Sequence, residues 1–127
     1  MKFKNYEILD LREAFNKVSN TLSLPIAIAW KRRLNYEKIL NISSIIFKAL
    51  DEISEQYADD DHSFVEEETG MRKVKPEYMN EISKKRQEIL DQETDIDINM
   101  IDIEDLGDDI RITDNDMNTL AFMINKD

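Results

Sequence analysis

The stretch LPIAIAWKRRLNYEKILNISSIIFKALDEISEQY, Leu24 to Tyr57, decides the fold, because it alone carries a long and almost uninterrupted helical pattern. Ile39, Ile42, Ile46, Leu50, Ile53 and Tyr57 follow one another at steps of three and four, which places them on one stripe that has to be buried. Ile28, Trp30, Leu34, Ile45 and Phe47 widen that stripe over parts of its length and predict a central helix with more than one neighbour. Ser23 is placed to cap its start, and Pro25 falls in the first turn, where a missing N–H costs nothing. Asp59, Asp60 and Asp61 mark its end, since three carboxylates repel one another at the negative end of the helix dipole.

Working outward, Ile8, Leu11, Phe15 and Val18 predict a first helix over Asn5 to Val18, preceded by a short edge strand at Met1 to Lys4. The polar connection Asn20 to Ser23 is short enough to make the first two helices antiparallel neighbours. Residues 59–75 form an acidic arm, read as a small hairpin near 63–75 turning at Thr69-Gly70 or else as a mobile loop. Pro76 opens a third helix whose apolar face is Tyr78, Met79, Ile82, Ile89 and Leu90, with Lys84, Lys85 and Arg86 on or near the other side. From Asp95 the period changes to two, as Ile96, Ile98 and Met100 alternate with polar residues, and a strand near 96–103 is expected with a bulge at Met100-Ile101. Ile110 to Ile112 is a candidate partner strand, and Thr113 a cap for a last helix packing through Met117, Leu120, Ala121 and Ile124. The expected fold class is α+β and mostly helical, in a single domain of 127 residues built round the long helix.

Composition removes several chemistries. The chain has no cysteine, so disulfides, thiolate catalysis, cysteine zinc sites and iron–sulfur clusters are excluded. Two glycines are too few for phosphate-cradling loops. No apolar run approaches the roughly 20 residues that span a bilayer, and Met1 to Asn5 lacks a signal peptide's apolar core, so an intracellular protein without a membrane contact is expected. The net charge of −11 is uneven: residues 1–57 hold nine Lys or Arg against seven Asp or Glu, whereas residues 95–127 hold two against ten. So acidic a chain repels phosphate, and direct nucleic-acid binding is not expected.

The Asp-rich stretches do not have calcium-loop spacing. With Gly107 at the sixth place of such a loop, Asp102 and Glu104 fit the first and third, but Leu106 and Thr113 fill the fifth and twelfth. His62 is the only histidine, beside Asp61 in the most polar part of the chain, and reads as a surface residue. Carboxylate pairs are so abundant that none is singled out, so a non-enzyme with no metal and no cofactor is expected. Trp30-Lys31-Arg32-Arg33 joins the only tryptophan to a run of three basic residues. It is a candidate grip for an anionic partner; the plainer reading has Trp30 anchoring the long helix on the first one and the cations solvated or paired with Glu7, Asp10 or Glu13. Ile42, Ile46 and Phe47 offer a second, apolar interaction surface on the same helix. A third is the acidic edge of Asp95, Asp97, Asp102, Glu104, Asp105, Asp108 and Asp109, read either as a solvated strand face or as an imitation of DNA phosphates.

The order of features resembles a family of small proteins of unknown function from bacteriophages and prophages of Gram-positive bacteria. The resemblance runs nearly end to end: Lys4-Asn5 opening the first helix, Leu24-Pro25, Leu34-Asn35, Glu55-Gln56-Tyr57-Ala58-Asp59, the acidic arm ending in Val74-Lys75, the alternation from Asp95 to Ile103, and Phe122-Met123-Ile124. Asn41 to Phe47 departs from the Lys- and Glu-rich second helix of that family. The resemblance implies a phage origin and carries over no functional residue. The expectation is therefore a non-enzymatic phage accessory protein that binds a phage or host protein in the host cytoplasm. The alternatives are a virion or assembly component that forms a homo-oligomer, and a DNA-mimicking inhibitor of a host nuclease or defence complex.

Overall fold

In the computed structural model, which describes residues 1–17, 24–107 and 114–125, the chain is an α+β fold in which helix predominates. Its elements are β1 (Lys2–Lys4), α1 (Asn5–Asn16), α2 (Ile26–Glu55), β2 (Ser63–Val65), β3 (Arg72–Val74), α3 (Met79–Leu90), β4 (Glu93–Asp95) and α4 (Asp114–Ala121). Two 3-10 turns, Pro76–Tyr78 and Ile103–Leu106, lead into α3 and follow β4. The packing divides the chain into two units, Met1–Ser43 with Glu93–Asp127, and Ser44–Gln92. The long helix α2 contributes to both.

The predicted stripe on α2 is where the burial lies. Ile28, Ile39, Ile46, Leu50, Ile53 and Tyr57 are buried and Ile42 is half-buried. At the start of α2 the Pro25 carbonyl accepts hydrogen bonds from Ile28 and Ala29 at 3.0 and 2.9 Å; the predicted cap, Ser23, lies outside the described residues. The helix stops before the aspartates: Tyr57 and Ala58 donate to Ser54 and Glu55 three residues back, the tightened last turn that helix ends adopt.

In the unit formed by the two ends of the chain, β1 and β4 pair antiparallel, Phe3 opposite Thr94. Burying Ile8 and Phe15 turns one face of α1 inward; the Phe15 ring stacks on Tyr36 at 4.7 Å and meets Phe122 edge-on at 6.2 Å. Val18, the last residue of the predicted stripe, lies outside the described residues. Two expectations are corrected here. The strand predicted near 96–103 is confined to Glu93–Asp95, and among the described residues only Ile101 makes a bridge beyond it, parallel to Ile124. The alternation nevertheless holds as burial for Ile96 and Ile98, because an extended segment alternates its side chains whether or not a strand lies alongside, and the phase breaks at Met100-Ile101, where Ile101 is inside. Finally, of the set predicted for the last helix only Leu120 is fully buried; Met117 and Ala121 are exposed, and Asp116 and Thr119 of α4, with Met123 just after it, are buried instead. The candidate strand at Ile110 to Ile112 lies outside the described residues.

In the Ser44–Gln92 unit, the arm is a hairpin. β2 and β3 pair antiparallel with Phe64 opposite Lys73, and Gly70 turns the chain at φ +68°, the left-handed conformation that glycine adopts freely. The aspartates before it are held by neighbours: Asp59 accepts from His62 Nδ1 at 2.6 Å, Asp60 pairs with Arg72 at 3.0 Å, and the Asp61 carbonyl accepts from Lys75. His62 is therefore not a plain surface residue, since its ring also lies 5.3 Å from Tyr57 and 4.7 Å from Tyr78. The charges of α3 are corrected too. Lys85 sits over the Tyr57 ring at 5.0 Å and Arg86 donates to the Leu50 carbonyl and Ser54 hydroxyl of α2, so both are on the packed side rather than the far one.

Candidate interaction surface

The Trp30-Lys31-Arg32-Arg33 run is split by the helical period: Arg33 is solvent-exposed, as the plain reading allows, while Trp30, Lys31 and Arg32 depart from it. Lys31 and Arg32 turn inward. The Lys31 amine donates to the Met100 carbonyl at 3.1 Å. Nε and Nη2 of Arg32 donate to the Thr119 hydroxyl at 3.1 and 2.9 Å, and that hydroxyl donates in turn to the Asp116 carbonyl at 2.8 Å. One hydroxyl hydrogen and two lone pairs are thereby all used. The guanidinium also lies 5.4 Å from the centre of the Phe15 ring, in cation–π range. Burial lowers the Arg32 pKa from its ordinary value, and the carboxylate of Asp116 acts in the opposite direction. None of the expected partners Glu7, Asp10 or Glu13 is used: Arg33 pairs with Glu37 one turn along α2 at 3.1 Å.

Trp30 does not anchor α2 on α1. It is 61% exposed, the most exposed aromatic side chain among the described residues, and Ile26, one turn earlier on the same face, is 88% exposed. Trp30, Ile26 and Arg33 therefore line an outward stripe whose backbone is fixed by the inward bonds of Lys31 and Arg32.

Asn35 was not singled out by its spacing, and it organises the other side of the helix. It is fully buried, seven residues after Ile28 and four before Ile39, a polar residue inside an apolar stripe. Its Nδ2 donates to the Asn99 carbonyl at 3.0 Å, and its Oδ1 accepts from the Asn99 backbone N–H at 2.8 Å. This exchange of both N–H···O bonds is what a residue receives from a partner strand in an antiparallel pair. Lys38 adds a bond to the Asp97 carbonyl at 2.6 Å. The segment read as a strand is thus held by three α2 side chains, Lys31, Asn35 and Lys38, and these bring the basic run and the acidic edge together as one seam. A polar residue in the stripe was the signal available in the sequence.

The remaining candidates are dispersed. Ile46 is buried in the packing of its unit and is a core residue, Ile42 is half-buried, and Phe47 is 39% exposed beside the more exposed Ile45. Of the acidic edge, Asp95 is paired with the α-amino group of Met1 at 2.8 Å, and that hydrogen bond holds its carboxyl below the usual range. Asp102 accepts from the Asn125 amide at 2.8 Å, and its backbone N–H donates to the Asp105 carboxylate at 3.4 Å. Asp97, Glu104 and Asp105 are exposed. Asp108 and Asp109 lie outside the described residues.

Among the described residues no three His, Asp or Glu side chains converge as a metal site would require, and no helix is long and apolar enough to cross a membrane. Comparison with protein-family models, with curated proteins and with solved structures gave no match.

Proposed function

We propose that this is a non-enzymatic accessory protein, of the phage class that its sequence resembles, and that it acts by binding another protein through the exposed stripe of α2. The observation that carries the reading is the outward Trp30 on a helix whose neighbouring cations are committed inward. Tryptophan and arginine are the residue types most often found at the energetic centre of protein interfaces, and a fixed helix loses little entropy on docking. An apolar side chain of this size facing water is otherwise unfavourable. The carboxylates of the acidic edge support the binding role less, because Asp95 and Asp102 are already engaged within the chain.

The test is affinity capture from host-cell lysate with mass spectrometry, comparing the wild-type chain with Trp30→Ala. A surface truncation of this kind should leave stability within about 0.5 kcal/mol, so the variant remains folded, and the proteins captured specifically by the wild type should be lost. An identical captured set would remove the stripe from consideration.

A further inference from the structure

A cleft of ≈ 360 Å³ between α1 and α4 lies within the unit formed by the two ends of the chain. We propose that it receives an arginine side chain of a partner protein, at a contact separate from the Trp30 stripe. The inference rests on the reading of this chain as a binder of proteins and adds a second point of contact with a stated chemistry.

The cleft follows from how α1 is turned. Asn5, Ile8 and Phe15 are buried, so Glu7, Asp10, Leu11 and Ala14, spaced by threes and fours, share another face and line the space. Phe3 and Phe122 add an aromatic wall, their rings edge to face at 6.3 Å and 71°, and Asn118 adds an amide on the α4 side. Among the described residues no lysine or arginine lines it.

The charge on this face is left open at one place. Of the carboxylates of α1, Glu13 pairs with Lys17 at 3.3 Å, and Glu7 accepts from the Lys4 backbone at 2.9 Å where the helix starts. Arg12 has its Nε buried and does not line the cleft. Asp10 is exposed and has no hydrogen-bond or ion-pair partner among the described residues. Two aromatic rings and an aliphatic wall thus stand beside one unpaired carboxylate.

An occupant that uses all of these groups carries an apolar stem with a cation at its end. A purely apolar group gains nothing from Asp10, and an anion is repelled. Guanidinium suits the cleft better than ammonium. It is planar and weakly hydrated, it stacks on aromatic faces, and its fork of donors matches a carboxylate. Its aliphatic stem covers apolar surface such as Leu11 and Ala14 offer. The chain seats one of its own arginines in the same manner: the Arg32 guanidinium lies 5.4 Å from the centre of the Phe15 ring while it donates to the Thr119 hydroxyl. The α1–α4 cleft repeats that combination of ring and acceptor without an arginine of its own.

Nuclear magnetic resonance titration of the isotope-labelled full chain tests this with two capped alanine peptides. One carries a central arginine, the other citrulline, which keeps the shape and loses the charge. The arginine peptide should shift the amide signals of Leu11, Ala14, Asn118 and Phe122 to saturation. The citrulline peptide should bind about fivefold or more weakly, the upper range for an exposed charge pair. Asp10→Asn removes the charge at nearly constant size, and to it the two peptides should bind alike; circular dichroism checks that it folds. Equal binding of both peptides to the wild type overturns the proposal, as does a preference for arginine that survives Asp10→Asn, or the absence of any shift at the cleft at millimolar peptide. Capture by the wild type against Trp30→Ala bears on the stripe and not on the cleft, so either reading can fail alone.

Discussion

At the scale of single residues, Asn35 does with its side chain what a neighbouring strand does with its backbone, and this sets what its loss should cost. Replacing it by alanine strands the part-buried N–H and carbonyl of Asn99, and each unsatisfied group costs about 1–3 kcal/mol. Asn35→Ala should therefore lose about 2–4 kcal/mol in chemical denaturation; a loss below about 1 kcal/mol would mean that water or a neighbour replaces both bonds. Asp59 makes a different prediction. The hydrogen bond from the His62 ring is the largest cause holding its carboxyl below the ordinary 3.8. A carboxyl lowered in the folded state adds stability that is present above its unfolded value and is lost as pH falls through the folded one. The difference in melting temperature between the wild type and Asp59→Asn should thus be largest above about pH 4 and shrink as the solution is acidified below it. A difference that grew on acidification would contradict the Asp59–His62 bond.

At the scale of elements, the long helix was legible because its stripe repeats over many turns, and no strand can satisfy steps of three and four for that length. Its ends were read to within two residues, since capping residues and aspartates act locally. The hairpin turn was legible for the same reason: Gly70 adopts the positive φ that its position asks for. What was not legible depended on partners distant in sequence. Alternation from Ile96 onward reports which side chains are buried, but the same alternation serves a segment bonded to a strand and one bonded to Asn35, Lys31 and Lys38. On α4, nothing in the sequence singled out Asp116 and Thr119 as buried, and their burial goes with Arg32, far away in sequence. The interaction surface shared this limit: the run from Trp30 to Arg33 was visible, whereas its division into an outward Trp30 and inward Lys31 and Arg32 needed the positions of Met100 and Thr119. The continuity of α2 through both packing units is itself testable. Ser44→Pro removes a backbone donor and crowds the carbonyl of Leu40, costing about 3 kcal/mol or more. Far-ultraviolet circular dichroism should show lost helix and denaturation a reduced stability, and an unchanged melting curve would mean that the helix is already interrupted there.

At the scale of the whole molecule, charge is the term that sequence fixes most completely and contacts offset least. The unit containing both chain ends holds ten Lys or Arg against fifteen Asp or Glu, and the Ser44–Gln92 unit seven against thirteen, so each carries net negative charge, −5 and −6. The ion pairs among the described residues that face this excess, such as Lys17–Glu13, Arg33–Glu37 and Arg72–Asp60, have well-exposed side chains, and such pairs are worth about 0–1 kcal/mol each. Salt acts on both terms in opposite directions. It weakens the few short-range attractions, and it screens the many repulsions among like charges, whose range exceeds the Debye length of about 10 Å only when ionic strength is low. With eleven uncompensated negative charges on 127 residues, the repulsions outnumber the pairs, so raising sodium chloride from about 10 to 150 mM should stabilise the fold. A gain of about 1 kcal/mol would raise the melting temperature by about 3–6 °C for a chain of this length. Scanning calorimetry at neutral pH measures it, at a protein concentration where sedimentation shows a single species, so that self-association does not enter. A melting temperature that fell with added salt would show the exposed pairs to be worth more than their geometry allows, and would place the stability of this acidic chain in specific ion pairs rather than in its buried stripe.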